Sequence, residues 1–123
     1  MTDLNTESLT SPEGEVVAIN FIPLREGVSV DEFAHFSSTL DQPLCLSQDV
    51  VHSFDAYRIA GGDVGEQPFD VLEVMRVRSW SEWEQVRDGL ADLVPVTSRF
   101  DELVDSSRVR TVFASKIEGI TRS

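Results

Sequence analysis

The chain has 123 residues, 41% of them hydrophobic, a formal net charge of −12 and a pI of about 4.3. That length suits one domain with its own core. The acidic balance argues against a basic patch for nucleic acid or an anionic membrane surface, and no apolar run is long enough to span a bilayer. A single cysteine rules out an internal disulfide and fits a reducing cytoplasm, and with only two histidines beside it no structural zinc site is expected.

In chain order, residues 1–15 are polar, acidic and rich in Ser and Thr, which predicts a disordered tail ahead of one domain over 16–123. Val16 to Leu24 is almost wholly apolar, broken by Asn20 and closed by Pro23, and reads as a strand covered on both faces. A helix follows from about Val30 to Leu40. Ser29 and Glu32 have capping-box spacing, Val28 and Phe33 can staple the entry, and Phe33, Phe36 and Leu40 form the apolar stripe. Pro43 predicts the end of this helix, because the residue before a proline is pushed out of the α region. Asp41 is then expected at a helix C-terminus, where the dipole disfavours a carboxylate. A residue set against its local preference is a candidate for function.

Val50 to Ala60 predicts a second strand, Gly61 to Pro68 a turn-rich connection without the helix that a phosphate-binding glycine motif needs, and Phe69 to Arg78 a third strand. Ser79 or Ser81 caps a second helix whose apolar face is Trp83, Val86, Leu90 and Leu93. Pro95 predicts a kink or a further short helix from about Val96 to Val104, and Arg108 to Ile117 predicts the fourth strand. The order β-α-β-β-α-β is that of an α+β, ferredoxin-like protomer. Such a sheet has helices on one face only, yet both faces of Val16 to Leu24 are apolar; a second copy of the sheet is the simplest cover, which predicts a homodimeric α/β barrel.

This order, with Phe33-x-x-Phe36-x-x-x-x-Asp41-x-Pro43-Leu44 and then Val51-His52-Ser53-Phe54-Asp55-Ala56-Tyr57-Arg58, resembles the dimeric α/β-barrel superfamily, and within it the REDY-like branch, named for a protein of prodigiosin-type pigment pathways. The resemblance runs from about Val16 to Ile117. EthD-like members have a similar helix end but carry histidine where this chain has Asp41, so their histidine chemistry does not transfer. The resemblance implies a tailoring enzyme of pigment, bisindole or similar alkaloid metabolism that acts on a small aromatic or heteroaromatic intermediate. Cofactor-free monooxygenases of the superfamily use a polar residue on the first strand, which keeps Asn20 in view.

Four residues are candidate catalytic groups. Asp41 is a candidate base at the mouth of a pocket, where desolvation raises a carboxyl pKa. His52, expected on the same strand face as Phe54 and Ala56, is a candidate proton relay. Glu73 alternates with Phe69, Val71, Met75 and Val77, so it is expected on an apolar face, either paired with an arginine such as Arg58 or with a raised pKa. Asn20 is a candidate donor to a carbonyl or oxyanion. Phe21, Phe33, Phe54 and Trp80 are expected as aromatic walls around a substrate. Trp83 is expected in the core, His35 on the surface, and Cys45 as a buried inert thiol.

The expected chemistry is ring closure, condensation or dehydration by acid-base groups in a shaped apolar cavity, with no metal and no organic cofactor. A cofactor-free monooxygenase and a non-catalytic carrier of a reactive intermediate are the alternatives, separated by oxygen uptake and by binding without turnover.

Overall fold

The structure is a computed structural model that describes residues 13–63 and 69–119. The expected N-terminal tail lies outside the described residues up to position 12, and so do five residues of the turn-rich connection. The elements run β1 (Val16–Ile22), α1 (Val30–Phe36), a π-helical turn (Ser37–Asp41), α2 (Gln42–Leu46), β2 (Val51–Arg58), β3 (Val71–Val77), α3 (Trp80–Gly89), α4 (Val94–Leu103) and β4 (Arg110–Ala114). The four strands form one antiparallel sheet in the order β2-β3-β1-β4, the ferredoxin-like arrangement.

The helix starts follow the local chemistry. Ser29 Oγ accepts the Glu32 N–H at 3.1 Å and Ser79 Oγ accepts the Glu82 N–H at 3.2 Å, so Ser79 rather than Ser81 caps α3. Pro95 falls in the first turn of α4, where its missing N–H leaves no bond unmade, and the helix therefore begins at Val94 rather than Val96.

Pro43 does not end the first helix. Gln42 keeps helical dihedrals (φ −63°, ψ −47°), and its N–H reaches back five residues to Ser37 O. After the widened turn Pro43 falls in the first turn of a new segment, α2, where its missing N–H leaves no bond unmade. Asp41 is thus inside a continuous helical run, on a π turn, and not at a helix C-terminus.

Both sheet faces can be read from the register. Val16, Ala18 and Ile22 of β1, with Val71, Glu73, Met75 and Val77 of β3, are buried beneath the helices. Phe33 of α1 lies edge-on to Phe36 at 5.5 Å and to Phe100 of α4 at 6.4 Å, which ties the two long connections together over the sheet. The opposite face carries Val17, Ile19, Phe21, Leu72, Val74 and Val112 with no helix over them; Val112 is 50% exposed. Among the described residues no helix is long and apolar enough to cross a membrane.

Candidate functional site

A cavity of about 430 Å³ opens between the helix-covered face of the sheet and α2, α3 and α4. Its floor is a row across three strands. In the pairing register Glu73 of β3 stands beside Asn20 of β1, and Asn20 beside Thr111 of β4. Thr111 Oγ1 donates to Asn20 Oδ1 at 2.7 Å. With its carbonyl oxygen occupied, Asn20 has its NH₂ donors left for a ligand. Phe54 and Met75 form the next row, and Trp80, Trp83 and Phe100 close the side walls.

Asp41 enters from the π turn. It is 4% exposed, as is Glu73, and both line the cavity. Cys45 lies one helical turn on and donates its thiol to Asp41 Oδ1 at 3.3 Å. Burial raises Asp41 to about 6, against the opposing pull of the Cys45 thiol and the neighbouring Glu73 carboxyl. Glu73 is pushed well above the usual carboxyl range, first by burial and then by the Asp41 charge. Like charges in one buried site cannot both form easily, so each carboxyl holds its proton more tightly than a free one, and the two titrate as a pair. Glu73 Oε2 is buried and has no hydrogen-bond partner among the described residues, which leaves an acceptor facing a cavity with room for a ligand. The Cys45 thiol is raised by burial and by Asp41, so it is a hydrogen-bond donor and not a nucleophile.

Three of the four candidate catalytic residues, Asp41, Glu73 and Asn20, therefore meet in one place. His52 does not. The β2–β3 register shifts between Val51 and Ser53, so His52 is the extra residue of a bulge; it faces solvent while Phe54, two residues on, is buried. Its Nδ1 is 2.8 Å from Glu15 Oε2. Arg58 is also elsewhere, 2.6 Å from Asp31 on the surface, so Glu73 has a raised pKa and not an arginine partner.

Of the expected aromatic walls, Phe54 and Trp80 line the cavity, the latter 5.1 Å from Phe113. Phe33 is 1% exposed in the core beneath α1, and Phe21 is on the open sheet face against Phe69, so neither is a wall of this cavity. His35 is exposed, as expected.

Sequence reasoning missed Cys45 as the partner of Asp41, although a spacing of four is the helical signal; taking Pro43 as a helix end hid it. It also missed Thr111 and the half-buried Arg87, whose guanidinium spans Asp88 (Nε–Oδ1 2.9 Å, Nη2–Oδ2 3.2 Å) on the cavity wall. Nothing local in the sequence marks either one. Among the described residues no three His, Cys, Asp or Glu side chains converge as a metal site would require.

This architecture recurs in solved structures. HapK from Hahella chejuensis superposes with a TM-score of 0.68 at 15% identity, covering 89% of this chain and 98% of its own. A dimeric ferredoxin-like protein of unknown function from Thermobifida fusca gives 0.62 at 10% identity, with 88% and 96% covered. An EthD family protein from Bacillus halodurans gives 0.60 at 14% identity, with 84% and 99% covered. At these identities the likeness shows a shared fold. No curated protein matches the chain. The family described as REDY-like protein HapK matches residues 16–117, and the chain is a member of that family.

Proposed function

We propose that this protein is a tailoring enzyme that moves protons on a small aromatic intermediate, through ring closure, condensation or dehydration. One observation carries the reading: two buried carboxyl groups, Asp41 and Glu73, meet at the floor of an aromatic-walled cavity, where burial holds both above the ordinary carboxyl range. Asp41, ionised and near 6, is the base; Glu73, neutral, is the acid; the Asn20 amide holds a carbonyl or oxyanion. Separated pKa values in adjacent carboxyls are how one site both takes and gives a proton near neutral pH. Membership of the REDY-like family supports a place in pigment-type specialised metabolism, and the cavity is of a size for a small organic molecule.

The working unit is proposed to be a homodimer formed through the open sheet face, because Val17, Ile19, Phe21, Leu72, Val74 and Val112 make an apolar surface that soluble monomers rarely present. The active unit is proposed to work in the cytoplasm.

The test is to incubate candidate aromatic intermediates with the protein and follow product mass and dissolved oxygen. A product lighter by one water, or an isomer of unchanged mass, formed by the native protein and not by Asp41→Asn, is the expected result. A product heavier by oxygen, with oxygen uptake, would mean a monooxygenase. Tight binding with the intermediate unchanged would mean a carrier.

A further inference from the structure

The floor of the cavity has a chemical preference that its shape alone does not give. Glu73 Oε2 is buried and without a hydrogen-bond partner among the described residues, and beside it Asp41, next to the Glu73 carboxyl, accepts the weak Cys45 thiol donor. A buried polar atom left so is unfavourable, and a ligand that supplies the donor relieves it. The wall adds Asp88 and Asp101. Arg87, the one cation of the wall among the described residues, is already spanned by Asp88 and has Glu84 3.8 Å away, so its charge is largely spent within the wall. Trp80, Trp83 and Phe100 line it as well, and aromatic rings attract flat cations.

We propose that the ligand of this cavity is a flat nitrogen base bound as its cation, an amidine-like or protonated imine group whose N–H donors reach Asp41 and Glu73 Oε2 while its ring lies among the tryptophans. The proposal deepens the reading of the site as an acid-base centre and rests on the same carboxyl pair, but it concerns binding and is tested without turnover. An acid substrate would meet a site of its own sign; a neutral hydrocarbon would leave both carboxyls unanswered.

The two tryptophans of the chain, Trp80 and Trp83, both line the cavity, so intrinsic fluorescence reads its occupancy. The full chain is titrated with benzamidinium, with neutral benzamide and with benzoate, which share one ring and differ in charge. At pH 8 benzamidinium should bind at least tenfold more tightly than benzamide, and benzoate should not change the fluorescence. The preference should shrink below pH 6, as the pair takes up its second proton. It should vanish in the isosteric double variant Asp41→Asn, Glu73→Gln. Equal or tighter binding of benzamide or benzoate would overturn the proposal. So would a benzamidinium preference that survives in the double variant, which would place the cation on the acidic outer surface. Loss of turnover in Asp41→Asn with no cation preference in the native protein would overturn this proposal and leave the acid-base reading standing.

Discussion

The two faces of the sheet are written by the same strands and break opposite rules. The helix-covered face is buried around its cavity, and it holds Glu73, Asn20 and, from above, Asp41. The open face is wet in the isolated protomer, and it holds Val17, Ile19, Phe21, Val74 and Val112. Polar groups where apolar ones belong mark chemistry, because their burial is unfavourable for folding and needs a use. Apolar groups where polar ones belong mark a partner surface. One strand, β1, carries both messages on alternate residues: Asn20 faces the cavity and Ile19 and Phe21 face away from it.

The largest expected effect is on the covered face. Asp41→Asn keeps shape and removes the proposed base, so turnover should fall by about two to four orders of magnitude, the range of general acid-base catalysis, with the circular dichroism spectrum unchanged. Native-like turnover in this variant would make the buried carboxyl structural.

Next is the open face. Val74→Lys with Val112→Lys places two ammonium groups on the apolar surface. Light scattering should show a dimer for the unsubstituted protein and a monomer for this variant at micromolar concentration, with the protomer fold kept. An unchanged mass for this variant would show that the open face is not the subunit contact.

A third effect separates burial from function by pH. Asp41 has a folded-state pKa of about 6 against an ordinary 3.8, so the folded state holds its proton more tightly than the unfolded one. Its contribution to stability is fully present below about pH 4 and is lost as pH rises through 6. At one pKa unit per 1.36 kcal/mol, the loss is roughly 3 kcal/mol. Asp41→Asn should therefore melt higher than the native protein above pH 6, with the difference closing toward pH 4. The surface carboxylates Glu82, Asp88 and Asp105, held low by arginines, act in the opposite direction but cancel in this comparison. A variant that melts lower at pH 8 would contradict an unfavourable buried charge.

The smallest effect is at His52. It lies outside the cavity on a bulge, paired to a partly exposed Glu15, so His52→Ala should leave turnover within a factor of two and cost at most about 1 kcal/mol of stability, the scale of an exposed ion pair. A large loss of turnover would bring this strand end into the site.

What the sequence made legible were features written locally. The two capped helix starts at Ser29 and Ser79, the alternation that puts Glu73 among apolar neighbours, and the strand-helix order all depend on residues close in the chain. The sequence singles out Asp41 as a helix-end carboxylate, whereas the structure places it as a buried carboxyl on a π turn, and a π turn leaves no propensity signal. His52 was misplaced because one extra residue in a strand reverses the parity of everything before it, and a bulge is set by pairing with another strand. The row Glu73, Asn20, Thr111 depends on register across three strands, and Thr111 lies 91 residues from Asn20 in the chain.

The proposed division of roles, Glu73 protonated and Asp41 ionised at neutral pH, is the claim on which the rest depends, and infrared difference spectroscopy with ¹³C-labelled carboxyl groups reads it directly. At pH 7.5 the native protein should show one protonated buried carboxyl, absent in Glu73→Gln, and a second carboxyl should titrate near pH 6, absent in Asp41→Asn. Two carboxyls fully ionised at pH 7.5, both titrating near the ordinary value of about 4, would contradict it.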